Sequence, residues 1–268
     1  MAAVEYEVRG HVAVVTLNRP EARNAMNPEV IVRLDQAWTA AEEDPNVRVA
    51  ILTGTGNVFC SGADLARLIT LMNGAREPED EWDHAMRADP VMANRATLRV
   101  TNFSKPIIAA LNGTAVAGGC ELVQGTDIRV AADHAKFGLQ EVKWALFPAG
   151  GSTVRVPRQI PMAWAMEWLL TGDLVDADTA LRLGFVNRVV AAEQVMDTAL
   201  AIANKIAANG PLAVKAIKAA VKACAELPVE ADAMRLESQF AGPVFASNDA
   251  KEGPRAFLEK RAPNFTGT

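Results

Sequence analysis

The sequence is poor in the residues that would announce a metal or a disulfide framework. It has three histidines in 268 residues, His11, His84 and His134, too far apart to suggest a helical metal pair, and no HExxH. Its three cysteines, Cys60, Cys120 and Cys224, are odd in number, widely spaced and form no CxxC. Reduced intracellular thiols are therefore expected, with no zinc site. There is no basic surplus. The 27 Lys and Arg against 32 Asp and Glu leave a net charge of −5, which argues against a general nucleic-acid binder. No apolar run approaches the roughly 20 residues of a membrane span. The first residues, "MAAVEYEVRGHVAVV", lack a basic stretch followed by a long apolar core, so no secretory signal is read and a cytoplasmic protein is expected. With so few histidines, acid–base chemistry is expected to rest on carboxylates.

What is present is an ordinary globular composition, half apolar and 22% charged, long enough for one large domain or two modest ones. "VEYEV" and "VAVVTL" flank Arg9-Gly10-His11 and predict a hairpin. Asn27-Pro28-Glu29 predicts a capped helix start, and Asp44-Pro45 its end. A two-sided apolar strand is expected over 47–54, and a short helix near Asp64. Residues 73–90 are polar and acidic, and predict a surface excursion rather than core. A helix over 91–103, a strand in "KPIIAALNG", a short helix in "GGCELVQG" and a strand in "DIRVAA" follow. Helices are expected over 153–171, 176–183, 192–209 and 212–225. A last helical stretch over 229–261 should be interrupted near Gly242-Pro243 and Gly253-Pro254. Strands alternate with helices first and helices dominate later, which is an α/β class with a helical C-terminal part.

Nucleotide-site patterns do not survive inspection. "GTGNVFCSG" lacks the third fingerprint glycine, and "AVAGGCE" has no G-K-[ST]. Ser61 sits in no G-x-S-x-G elbow. Two carboxylates stand out instead. Glu121 lies among apolar residues just behind Gly118-Gly119, and Glu141 follows a short strand and a glycine. A buried carboxylate is expensive unless paired, hydrogen-bonded or protonated. Each also has a plain reading: Glu121 as a helix-start acid, Glu141 as a surface residue salted by Lys143. The glycines shift the weighting, because Gly118-Gly119 and the upstream "CSGAD" each put backbone N–H groups at a helix entry. Two such loops could together form an oxyanion hole for a thioester carbonyl.

"LNRPEARNAMN", "FCSGADL", "KPIIAALNGTAVAGGCEL", "DIRVAADHAKFGLQEV", "FPAGGS" and "GPRAFLEKRAPNF" occur in the order of the crotonase superfamily, the enoyl-CoA hydratase/isomerase family. The sequence resembles that family from about residue 4 to 265, most closely its two-glutamate hydratases. The resemblance implies a spiral of ββα units over 1–190 and a helical C-terminal region over 191–268 for oligomerisation and CoA contacts. A homotrimer or dimer of trimers is implied. It places the oxyanion N–H groups on Ala63 and Gly118 and the catalytic carboxylates on Glu121 and Glu141. Arg23, Ala25, Ala63, Asp64, Leu65, Phe257 and Lys260 would meet the CoA, and Trp144 and Phe147 would shape the acyl pocket. The implied partner is an acyl-CoA thioester substrate, with no separate cofactor, no metal, no nucleic acid and no membrane. The implied reaction is hydration of a trans-2-enoyl-CoA, with a bulky acyl group in view because "EVKWALF" replaces smaller residues. Another crotonase reaction such as isomerisation or dehydration, and a non-catalytic acyl-CoA-binding protein, are the alternatives. Ala117 stands where the family commonly has the first of three glycines, and little consequence is expected.

Overall fold

A computed structural model describes residues 1–100 and 103–268. Strands β1 (Val4–Arg9) and β2 (Val12–Leu17) pair antiparallel with Arg9 opposite Val12, so Gly10 and His11 alone turn the chain. β1 is exposed beyond its first residue, whereas β2 is buried almost throughout. That difference follows from position, since β2 pairs on its other side with β3 (Val49–Gly54), in parallel. Between them runs α1 (Pro28–Glu43). The Asn27 side chain accepts the Val30 N–H at 2.9 Å, and Pro28 fills the first helical position. Its far end is held by a fully buried lysine: Lys105 Nζ donates to the carbonyls of Ala41 and Asp44 at 2.5 and 2.6 Å.

From β3 onward, successive strand pairs divide between two sheets. β3, β5 (Ile107–Leu111) and β7 (Ile128–Ala132) join a six-stranded sheet of order β1-β2-β3-β5-β7-β10, where β10 is Arg188–Val190. β4 (Val58–Cys60), β6 (Thr114–Val116) and β8 (Lys136–Gly138) join a smaller sheet closed by β9 (Val175–Asp176). Through β8, each turn of the chain thus adds one strand to each sheet, the repeating spiral that the resemblance implies, and β9 then closes the smaller sheet antiparallel to β8. β5 is buried at every residue. Each large apolar side chain so buried contributes about 1.5–3 kcal/mol, so the strands form a stiff frame beneath their connecting loops.

The helices are α2 (Thr70–Met72), α3 (Glu81–Ala88), α4 (Met92–Ala96), α5 (Gly118–Gln124), α6 (Ser152–Gln159), α7 (Met162–Thr171), α8 (Ala177–Arg182), α9 (Val195–Ala207), α10 (Pro211–Cys224), α11 (Glu230–Ala246) and α12 (Asn248–Leu258). α9 lays Val195, Ala199, Ala203 and Ala207 on the large sheet. α10 and α11 pack on each other, yet neither has a buried residue, and Ile217, Val221, Met234 and Phe245 are exposed.

Four expectations need correction, and the first is that the helix expected over 153–171 is two, α6 and α7, parted where Ile160 turns extended before Pro161. Residues 73–90 are not merely a surface excursion, because α3 buries Met86 and Asp83. Asp83 is fully buried and tolerates it by ion-pairing with Arg76 and, at 3.5 Å, with Arg67, which hold its carboxyl down at about 2. The helix expected over 91–103 is short, ending at Ala96, with Leu98 in the left-handed region at φ 57°. Residues 101 and 102 of that expectation lie outside the described residues. The Gly-Pro pairs do not break the last helices: Pro243 lies inside α11 and Pro254 inside α12. The break falls at Ser247, which is extended and whose hydroxyl caps the Ala250 N–H at 3.1 Å. A good capping residue decided the boundary over the prolines.

Candidate active site

The first loop is laid beside an earlier one. Ser61 N–H donates to Arg23 O, Met26 N–H to Gly62 O and Asp64 N–H to Met26 O, at 2.8–3.1 Å. This parallel pairing uses the Gly62 carbonyl and the Asp64 N–H, and so directs the Ala63 N–H out of the ladder. The partner segment is itself locked. Arg23 and Asn24 are left-handed at φ 51° and 54°, and buried Asn24 Nδ2 donates to Thr55 O and Val58 O. Arg23 points to solvent, while the Ala25 carbonyl accepts the Arg19 guanidinium at 2.6 Å. Asp64 is engaged too, accepting the Arg67 N–H at 3.1 Å and facing Arg19 at 3.3 Å. Leu65, next in the chain, is 68% exposed.

The second loop is the turn from β6 into α5. The Ala117 N–H donates to Gly138 O, and the first helical bond runs from Glu121 N–H to Ala117 O. The N–H groups of Gly118, Gly119 and Cys120 therefore have no partner in the helix, and no side chain caps it. The loops adjoin closely. A Cβ added to Gly118 would stand 3.5 Å from Ala63 N, and one added to Gly62 3.1 Å from Gly118 N. Gly119 does different work: its Cβ would lie 2.3 Å from Cys60 O, so its absence lets α5 press on β4. Ala117 sits at φ 49°, ψ −130°, a conformation suited to glycine, so the Ala-for-Gly departure carries backbone strain.

Glu121 projects from the first turn of α5 and is 7% exposed. Its Oε1 accepts from Ser152 Oγ at 3.0 Å and Ser152 N–H at 3.4 Å, both at the start of α6. Burial raises its carboxyl, and the donors from Ser152 and the Gly150 backbone and the Arg99 charge offset only part of that rise. Gly150 is required there, since a Cβ would come within 2.3 Å of Glu121 Oε2. Glu141 lies in a 3₁₀ turn, Gln140–Trp144, that ends on left-handed Ala145. Its Oε2 is buried with no hydrogen-bond partner among the described residues. Burial pushes its carboxyl up to about 7; its own N–H opposes this and the Glu121 charge adds to it. Lys143 does not salt it, being paired with Asp173 at 2.8 Å. Two acids near one another are thus both raised by burial, Glu141 the more strongly because Glu121 has donors that partly offset its burial.

Trp144 and Phe147 are 77% and 69% exposed on this chain, beside exposed Leu146. Phe257, in the last turn of α12, is 82% exposed, and Lys260 follows in the left-handed region. That end is anchored by Glu252, which takes Arg255, Arg261 and the Asn264 N–H, and by Asp249, which takes the N–H groups of Thr266 and Gly267. Sequence reasoning missed Ser152 and Gly150; the signal was a polar residue after paired glycines in "FPAGGS". Among the described residues no cluster of three His, Cys, Asp or Glu side chains is placed to hold a metal, and no helix is long and apolar enough to cross a membrane.

This geometry has relatives. The family described as enoyl-CoA hydratase/isomerase matches residues 7–268. The chain is 46% identical over 259 residues to the enoyl-CoA hydratase EchA19 of Mycobacterium tuberculosis, covering 97% of this chain and 94% of that protein. It is 41% identical over 265 residues to the (E)-benzylidenesuccinyl-CoA hydratase of Thauera aromatica, covering 98% and 99%. The solved structure of enoyl-CoA hydratase EchA1 from Mycobacterium marinum superposes with a TM-score of 0.88 at 39% identity, covering all of both chains. With its strand spiral, its adjoining glycine loops and a match over nearly its whole length, the chain belongs to the enoyl-CoA hydratase/isomerase family.

Proposed function

We propose that this chain is an enoyl-CoA hydratase that adds water syn across a trans-2-enoyl-CoA, giving a 3-hydroxyacyl-CoA, with Glu121 and Glu141 as its catalytic pair. The observation that carries the reading is the asymmetry of that pair. Glu121 is surrounded by donors that favour the carboxylate, whereas Glu141 has a buried oxygen without a partner and a carboxyl raised to about 7. The thioester oxygen is received by the N–H groups of Ala63 and Gly118. As water attacks C3, negative charge develops on that oxygen, and loss of one such donor typically costs about 3 kcal/mol. Glu121 takes a proton from the water and Glu141 delivers one to C2. The reverse direction, dehydration, uses the same groups.

The CoA is assigned to the surface around Arg23, Ala25, Ala63, Asp64 and Leu65, with Phe257 and Lys260 contributing from the C-terminal segment. CoA arrives as part of the substrate, and no separate cofactor is invoked. The acyl group is assigned as bulky, lined by Trp144 and Phe147. Two features support this: the large exposed side chains after Glu141, and the 41% identical relative named for a benzylidenesuccinyl thioester. A homotrimer or dimer of trimers is supported by the apolar faces of α10 and α11 that a single chain leaves uncovered. We assign the protein to the cytoplasm.

The test is the ultraviolet loss of the conjugated enoyl thioester, with short, long and polycyclic 2-enoyl-CoAs. Turnover by the wild type, abolished in both Glu121→Ala and Glu141→Ala, is expected. Tight binding of every thioester with consumption of none would replace this reading by a non-catalytic acyl-CoA-binding role.

A further inference from the structure

We propose that Gln124 and Ser152 form a one-way hydrogen-bond chain that positions Glu121 as the proton acceptor of the pair. Gln124 Nε2 donates to Ser152 Oγ at 3.0 Å, and Ser152 Oγ donates to Glu121 Oε1 at 3.0 Å. This deepens the hydratase reading and rests on it.

The direction follows from counting hydrogens. An amide nitrogen only donates, so Ser152 Oγ is the acceptor in the first link. Its single hydrogen then has Glu121 Oε1 as its outlet. The Ser152 N–H reaches the same oxygen at 3.4 Å, so Oε1 receives two donors and is a poor place for a proton. Oε2 lies over Gly150, whose backbone also donates to the carboxylate, and it is the oxygen the Ser152 donors do not occupy. All three side chains are buried, Gln124 at 2%, Ser152 at 0% and Glu121 at 7%, so bulk water does not compete for these bonds.

The chain is anchored at its start. The Gln124 carbonyl, in the last turn of α5, accepts Gln159 Nε2 at 3.0 Å and Arg129 at 3.3 Å, which fixes that turn against α6 and β7. Gln124 Oε1 is buried without a partner among the described residues, and the side chain also hydrogen-bonds Cys120 one turn back on α5. Glu141 has no equivalent donors. The other charged or titratable groups facing Glu121 are Arg99, Arg155 on α6, Glu141 and Cys120 on its own helix. Ser152→Ala alters none of these side chains, whereas Gln124→Leu also removes the partner of Cys120.

The experiment is the pH dependence of kcat and kcat/KM for wild type, Ser152→Ala, Gln124→Leu and Ser152→Thr. Removing one hydrogen bond to an ionised group shifts its titration by about one pH unit. Ser152→Ala is therefore expected to move the acid limb upward by about one unit and lower kcat, with KM little changed. Gln124→Leu should move the limb the same way by less, and Ser152→Thr, which keeps the hydroxyl, should restore it. An acid limb that stays in place in Ser152→Ala overturns the proposal. Should that variant not fold, an unmoved limb in Gln124→Leu overturns it equally. Failure of the hydratase reading has a different signature, a wild type that consumes no enoyl-CoA. The chain is then tested by the carbon-13 carboxyl titration of Glu121 without substrate, which must still rise in Ser152→Ala; a titration left unmoved there overturns the proposal as well.

Discussion

The start of α5 and the 3₁₀ turn at Gln140–Trp144 each bring one glutamate into the same site, but they furnish it differently. Around Glu121 the chain supplies a hydroxyl, backbone N–H groups and distant guanidinium charge. Around Glu141 it supplies burial, a neighbouring carboxylate and an oxygen with nothing to accept from. Identical side chains thereby meet different surroundings, and the difference lies in the second segment each one meets rather than in its own helix or turn. An inert scaffold would have satisfied both.

The largest effect should come from erasing either side of this contrast. Glu121→Ala and Glu141→Ala are each expected to lower kcat by about 10²–10⁴-fold, measured by enoyl thioester loss, with binding of a non-reactive acyl-CoA nearly unchanged. The double variant should be little worse than either single one, because the pair acts as a unit.

Stability sharpens the contrast in the opposite direction. A carboxyl raised in the folded protein binds its proton more tightly there than when unfolded, so its burial weakens folding as pH rises from about 4.5 to 7. Glu141→Gln removes that charge, and should raise thermal stability above pH 7 by on the order of 1–3 kcal/mol while doing little below pH 4.5. Glu121→Gln should gain less, because it gives up a carboxylate already supplied with donors.

A smaller effect tests where strain is held. Ala117 adopts a glycine-like conformation at the entry to α5. Ala117→Gly should stabilise the protein by about 1 kcal/mol in thermal melts, or by less if added freedom in the unfolded chain offsets the relief. Smallest of all, Trp144→Ala should change the stability of the isolated chain by less than about 0.5 kcal/mol, given its exposure, yet alter the ranking of acyl groups.

Much of this was legible in the residues. The Asn27-Pro28 helix start, the alternating hairpin strands and the glycine-flanked entry to Glu121 each follow from local rules, and the structure obeys them. The link between Gln124, Ser152 and Glu121 is not legible, since 31 and 28 residues separate the bonded partners and the paired glycines before Ser152 mark a helix entry without naming what its hydroxyl meets. The buried Asp83 was hidden in the same way: an acidic stretch reads as surface until Arg67 and Arg76 are seen to fold over it. At Pro243 and Pro254, helix packing and the Ser247 cap outweighed a local rule.

The central claim is that the two carboxyls of one site hold their protons unequally, Glu141 more tightly than Glu121. A carbon-13 carboxyl titration of the intact protein, with Glu121→Gln and Glu141→Gln used to assign the signals, tests it directly. The expected result is that Glu141 takes up its proton near pH 7 and that Glu121 takes up its own at lower pH. Two signals that both titrate in the ordinary range near 4–5 would contradict it.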